Sequence, residues 1–228
     1  IDGIDLKGVY FMRAPEDAIN LRKSIKAGEI NRAVVVGGGF IGLEVAENLA
    51  TQGIRVSVID MAYQILPGFE PEIANYVEYH LVDHGIMTFT GTKLDAILGD
   101  EKVEKIKTNR RTMKTDAVIL SIGIKPNTAF LADTGIRLSK NKAVIVNKHM
   151  ETNIKDIYAV GDCAVVSNML TDKEAYSPMG SSANIEGRIL AQNLNGKRLS
   201  YKGVLGTAVS KLPELNVAKT GLTEDAAK

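Results

Sequence analysis

Gly37, Gly39 and Gly42 are spaced G-x-G-x-x-G and follow directly on the β-branched run Ala33-Val34-Val35-Val36. A strand that enters such a turn and leaves it as a helix offers free backbone N–H groups and the positive end of the helix dipole to phosphate, the arrangement that binds a dinucleotide pyrophosphate. Each glycine has a separate task. Gly37 permits the tight turn off the strand, Gly39 leaves room for backbone amides to approach a phosphate, and Gly42 lets the helix pack close against the strand. An acid stands where the sugar chemistry needs one: Asp60 lies 18 residues beyond Gly42, at the end of a second β-branched run. There a carboxylate accepts hydrogen bonds from ribose hydroxyls and repels a 2′-phosphate. Met61-Ala62-Tyr63-Gln64 brings no Lys or Arg, which favours NAD(H) over NADP(H). A structural glycine turn with a capping Asp is the plainer alternative, so the surroundings of the motif have to decide.

Those surroundings read as alternating strands and helices. Ile41, Val45 and Leu49 fall at helical spacing, Gly53 follows as a C-terminal cap, and residues 55–59 read as the next strand, which completes a βαβ unit. Upstream, 9–13 reads as a strand. Ala14-Pro15-Glu16-Asp17 then starts a helix with Ala18, Leu21 and Ile25 on one face. Downstream, Pro71-Glu72 opens a helix carrying Ile73, Val77 and Leu81, ended by His84-Gly85, and 86–89 is the following strand. Residues 92–98, 102–108 and 113–121 look like an antiparallel meander, whose last segment runs into the apolar stretch 117–123 and the turn Gly123-Ile124-Lys125-Pro126. Short strands are expected at 144–146 and before Gly161-Asp162, with a polar loop over 167–180. A helix from Ser181-Ser182 should bury Ala183, Gly187, Leu190 and Leu194. Two strands, 205–210 and 215–219, open a further module from Tyr201 onward, and Thr223-Glu224 begins a last helix.

Composition narrows the function. A chain of 228 residues, 45% hydrophobic, can bury a sizeable core. A net charge of +1 with 24% charged residues gives no reason for nucleic acid or an acidic membrane as partner, and the basic residues between Lys102 and Lys114 lack interleaved aromatics. Cys163 is the single cysteine, which excludes an intrachain disulfide and a multi-cysteine metal site and fits a reducing, cytoplasmic location. No metal is expected, because His80, His84 and His149 have no ligand partners at metal spacing. The chain starts Ile1-Asp2-Gly3 without Met and stops at Asp225-Ala226-Ala227-Lys228 inside a helical pattern, so we expect a piece of a longer protein.

Four segments, taken together and in order, carry a family resemblance: 35–44 (VVGGGFIGLE), 120–127 (LSIGIKPN), 157–164 (IYAVGDCA) and 220–224 (TGLTE). The chain resembles the flavin-dependent pyridine nucleotide-disulfide oxidoreductases, in particular the branch of CoA-disulfide reductases, NADH oxidases and NADH peroxidases. The resemblance implies an α/β fold in which a Rossmann-like NAD domain is inserted in a partial FAD domain of the same type. On that template, 1–28 and 114–200 would be FAD-domain segments, 29–113 the NAD(H) domain, and 201–228 the start of a C-terminal interface domain that makes the parent a homodimer. It implies FAD and NAD as cofactors, with Gly37, Gly39, Ile41, Gly42 and Asp60 at the NAD site. Phe40 would cover the flavin until nicotinamide displaces it, and Glu44 would stand near the nicotinamide. Gly123, Gly161, Asp162 and Ala183 would lie at the flavin, Asp162 on a ribityl hydroxyl and the helix at Ala183 aimed at the flavin pyrimidine edge. The implied reaction takes hydride from NADH to FAD and passes electrons to a small-molecule acceptor: a disulfide such as CoA disulfide, a peroxide or oxygen. A rubredoxin- or nitrite-reductase-like electron-transfer flavoprotein and a non-catalytic NAD-binding module are the alternatives. The family's first FAD glycine motif and its redox-active cysteine have no counterpart in these residues, and Cys163 matches a structural position, so this segment by itself is expected to be inactive.

Overall fold

The structure, a computed structural model, describes all residues from 1 to 228. The chain divides into two units, Ile1–Gly123 with Val209–Val217, and Ile124–Ala208 with Ala218–Lys228.

The first unit is built on a parallel sheet of five strands in the order β1-β8-β2-β3-β4: β1 (Val9–Phe11), β2 (Arg32–Val36), β3 (Arg55–Ile59), β4 (Ile86–Phe89) and β8 (Ala117–Leu120). The central strands are continuous apolar runs because both faces are covered. Ala33, Val35, Val56, Val58, Ala117 and Ile119 point to one face, where Leu43, Ala46 and Leu49 of helix α2 (Phe40–Ala50) and Ala74, Val77 and Leu81 of α3 (Pro71–Asp83) close the main core. The alternate residues Val34, Val36, Val118 and Leu120 point to the other face. There a three-stranded antiparallel sheet, β5 (Leu94–Leu98), β6 (Lys105–Thr108) and β7 (Thr112–Lys114), contributes Leu94, Ile97 and Ile106. Helix α1 (Pro15–Lys26) starts where Asp17 turns back to accept hydrogen bonds from the backbone N–H groups of Arg13 and Ala14, at 2.9 and 3.0 Å. No helix is long and apolar enough to cross a membrane.

Several expectations change here. The boundaries at 28/29 and 113/114 are not breaks in the fold, since β1 and β8 are both strands of the sheet that carries the glycine turn, paired in register from Val9↔Val118 to Val36↔Leu120. Parallel pairing between strands a hundred residues apart leaves no local mark in sequence, which is why the segments looked separable. The single strand expected over 113–121 is two, interrupted at Thr115-Asp116. Asp116 accepts hydrogen bonds from the N–H groups of Asn31 and Arg32, at 3.0 and 2.9 Å, and so fixes the entry to β2. The hairpin β12 (Ala208–Leu212) and β13 (Leu215–Lys219) does not open a separate module throughout, because Leu212 and Val217 are buried in the main core of the first unit.

The second unit has a small sheet ordered β11-β10-β9, from β9 (Val144–Ile145), β10 (Ala164–Ser167) and β11 (Glu174–Ala175), with α4 (Gly180–Leu194) and the short α5 (Glu224–Ala227). Its core cluster buries only Met150, Val166 and Val204. No strand precedes Gly161: Tyr158 makes a single bridge to Glu151, and Gly161–Cys163 form a 3₁₀ turn leading into β10. The polar loop expected over 167–180 contains β11.

Candidate functional site

The glycine turn joins β2 to α2, and its three glycines differ in what would happen if a Cβ were added. Gly37 has φ +111°, and a Cβ there would stand 2.3 Å from the carbonyl oxygen of Ser121 at the end of β8. At Gly42 a Cβ would stand 1.9 Å from the carbonyl oxygen of Gly37, so the helix can approach its own turn only without a side chain. Gly39 has φ −80°, an ordinary value, and open space where its Cβ would be. Neither backbone strain nor internal packing explains a glycine at 39. It borders open space at the N-terminus of α2, which has no side-chain cap and no acid in its first turn.

Asp60 closes the same turn. One carboxylate oxygen accepts from the Gly38 N–H at 2.7 Å and the other from the Ala62 N–H at 2.8 Å. A carboxylate oxygen has two lone pairs, so each keeps capacity for a further donor. Phe40, first residue of α2, is half-buried, with its ring edge-on to buried Phe69 at 5.8 Å between centroids. Ile41 is exposed, and Glu44 is one turn further along the helix, also exposed. One residue that sequence spacing missed lies beside this turn. Arg110, between β6 and β7, lays its guanidinium over Gly91, whose N–H donates to the carbonyl of Ala62 at 2.7 Å. A positive charge therefore reaches the loop after Asp60 from a distant segment, although 61–64 carries none.

In the second unit, Gly161 (φ +75°) lies against the first turns of α4, where a Cβ on it would approach the Cβ of Ala183 to 3.3 Å. Its N–H donates to Glu186 at 2.7 Å. Glu186 is the only buried residue of α4, at 2% exposure, while Leu194, expected in the core stripe, is 63% exposed. Burial pushes the Glu186 carboxyl above the usual carboxylate range, opposed by the Gly161 N–H and reinforced by neighbouring Asp162. Asp162 itself is exposed, and its carbonyl accepts from the Tyr176 hydroxyl at 2.8 Å. Burial raises the Tyr176 hydroxyl, with Asp162 and Cys163 adding to the shift. Like α2, α4 begins without a side-chain cap or an acid in its first turn. An exposed carboxylate beside an uncapped helix start is a donor and acceptor set that fits a polar ligand with hydroxyl and anionic groups. Asp162 owes its place to the 3₁₀ turn and the Gly161–Glu186 bond rather than to a strand end. Gly123 (φ +103°) is exposed at the last residue of the first unit and faces open space. The Cys163 thiol donates to the Val160 carbonyl at 3.3 Å.

The family described as pyridine nucleotide-disulphide oxidoreductase matches residues 1–183. A CoA-dependent NAD(P)H sulfur oxidoreductase of Pyrococcus abyssi is 36% identical over 225 residues, 98% of this chain and 50% of that protein. Among solved structures, a FAD-dependent pyridine nucleotide-disulphide oxidoreductase from Desulfovibrio vulgaris superposes with TM-score 0.90 at 37% identity, covering 100% of this chain and 58% of that one. A water-forming NADH oxidase from Lactobacillus brevis, bound to NADH, gives 0.93 at 31% identity, covering 100% and 50%. The chain spans about half the length of the curated relatives it matches.

Proposed function

We propose, from the premise that this chain belongs to the pyridine nucleotide-disulphide oxidoreductase family, that the complete protein takes hydride from NADH and delivers electrons to a small-molecule acceptor. The observation that carries the reading is Gly39: a glycine that the fold does not need, opening the space before an uncapped helix whose turn is tied to a carboxylate. The N–H groups at the start of α2 hold the NADH pyrophosphate. Asp60 accepts from the adenosine ribose with its remaining lone pairs. Phe40 and Glu44, on the first two turns of α2, orient the nicotinamide end, with Ile41 lining the approach. In the second unit, Asp162 would accept from a ribityl hydroxyl of FAD, Gly161 would leave room for its approach, and the start of α4 at Ala183 would face its electron-accepting ring; Gly123, at the end of the first unit, is a further flavin candidate that the family implies. Bound FAD supplies two-electron acceptance from NADH and onward electron delivery. The protein's part is placement and electrostatics.

The similar proteins named above include a CoA-dependent sulfur oxidoreductase and a water-forming NADH oxidase. The parent is read as a homodimer, and the acceptor as a disulfide or persulfide of CoA type, a peroxide or oxygen. Anaerobic titration of the full-length protein with NADH tests the reading. Loss of the oxidised flavin band at one NADH per flavin is expected, followed by reoxidation with one of these acceptors. A full-length protein that binds NADH without reducing a flavin would instead be a binding module.

A further inference from the structure

Strand β12 alternates buried and exposed from Ala208 to Leu212, and its inward residues are Ala208, Ser210 and Leu212. Two of these are apolar, as an inward position requires. Ser210 is not, yet it is 1% exposed. A buried hydroxyl is costly unless bonded, so a serine at such a place calls for a partner. The partner is Glu44: the Ser210 Oγ donates to Glu44 Oε1 at 3.4 Å, across 166 residues of chain. The hydroxyl donates and the carboxylate oxygen accepts.

The hairpin that brings Ser210 there is held independently of this bond. Leu212 and Val217 are in the main core. At the hairpin tip, the Pro213 carbonyl meets the His80 ring, and Glu214 lies 3.9 Å from His84, both histidines in or ending α3. Ser210 is therefore a fixed point, and Glu44 is a long, exposed side chain with several rotatable bonds. A distance of 3.4 Å exceeds the roughly 2.7–2.8 Å of a relaxed O–H···O bond, so the carboxylate is tethered more than clamped.

We propose that Ser210 is a positioning residue for the dinucleotide site: its buried hydroxyl, brought by the β12–β13 hairpin, sets the direction in which the Glu44 carboxylate meets the nicotinamide end of NADH. This rests on the reading of Glu44 given above. It makes a hairpin from the far end of the chain part of the electron-donor site.

The test measures NADH and ADP-ribose binding to the full-length protein, together with the limiting rate of flavin reduction, in S210A, S210T, E44A and the S210A/E44A double variant. ADP-ribose lacks nicotinamide and reports the rest of the site. In S210A, NADH binding and flavin reduction should each fall about five-fold, as for loss of a modest bond to a charged group, with ADP-ribose binding unchanged. S210T should restore both, and the double variant should be no worse than E44A. If S210A behaves as wild type while E44A is impaired, the proposal falls and the reading of Glu44 stands. If E44A leaves NADH binding and flavin reduction intact, that reading fails and the proposal with it. Equal weakening of NADH and ADP-ribose, or losses that multiply in the double variant, would show that Ser210 only supports the fold. Should S210A not fold, S210C, of similar volume with a weaker donor, takes its place.

Discussion

The two glycine turns, at 37–42 in the first unit and at Gly161 in the second, serve helix starts of the same kind in unlike surroundings. Both α2 and α4 begin without a side-chain cap or a first-turn acid, whereas α1 has Asp17 folded back on its start and α3 has Glu72 in its first turn. The α2 turn stands on a five-stranded sheet with apolar clusters on both faces. The turn at Gly161 stands on a cluster of three buried residues and is tied to its helix by a buried acid. Each turn is tied by a carboxylate, Asp60 in the first and Glu186 in the second, but only the first also stands on two extensive apolar clusters, and substitutions should separate packing from hydrogen bonding.

The largest effect is expected from Gly42→Ala. Its Cβ would meet a backbone oxygen at 1.9 Å, with no flexible side chain to yield, so the first unit should lose about 3 kcal/mol or more, at or above the upper range for overpacking. Gly39→Ala is the matched control. It adds the same methyl to open space and should leave thermal stability within about 0.5 kcal/mol while weakening NADH binding. A Gly39→Ala variant as unstable as Gly42→Ala would show that packing, not ligand room, explains Gly39.

Gly161→Ala comes next. An alanine at φ +75° is strained by about 1–2 kcal/mol, and the Ala183 methyl leaves little room for relief. Chemical denaturation of the second unit should register that loss, and a wild-type midpoint would mean that the 3₁₀ turn relaxes to a negative φ.

How much of this was legible in sequence follows the range of the interactions. The β2–α2–β3 unit could be read because its signals are local: a β-branched run, glycines at fixed offsets, helical spacing. The whole sheet could not, since β1 and β8 join it by pairing across long loops. Glu186 was missed because a helix stripe is chosen by hydrophobicity, and the α4 side chain that goes inside is the one that satisfies the Gly161 N–H. Ser210 gave one faint signal, a polar residue at an inward strand position, but its partner on α2 emerges only from the fold. Arg110 gave none.

Asp60 shows how such a missed contact changes an experiment. Its carboxylate holds two backbone N–H groups besides the sugar role proposed for it. In Asp60→Asn one of those N–H groups would confront the amide NH₂, and this cost to the turn falls equally on NADH and NADPH. The ribose role therefore appears only as a difference: NADH should lose about ten-fold more affinity than NADPH, the size of one charge-assisted bond. Equal losses would leave Asp60 as a turn-former alone. Arg110→Ala should then weaken whatever NADPH binding persists, since its guanidinium is the cation found beside that loop.

The smallest effect, and the one most particular to the second turn, belongs to Glu186. Its folded-state pKa is raised by burial first and by Asp162 after it. A carboxyl with a raised folded-state value stabilises the fold fully below its unfolded value, near 4.3, and loses that contribution as pH rises through the folded value. At pH 7 that contribution has been wholly or partly lost, and burying this carboxyl is a net cost. Glu186→Gln removes the charge but keeps a carbonyl to accept from the Gly161 N–H, so it should raise the melting temperature at pH 7, with the gain shrinking as pH falls toward 4. Glu186→Leu removes the charge and the acceptor together, leaving the Gly161 N–H unpaired, and should lower the melting temperature at both pH values. If Gln and Leu shift the protein in the same direction, the turn is held by packing after all, and the distinction between the two glycine sites disappears.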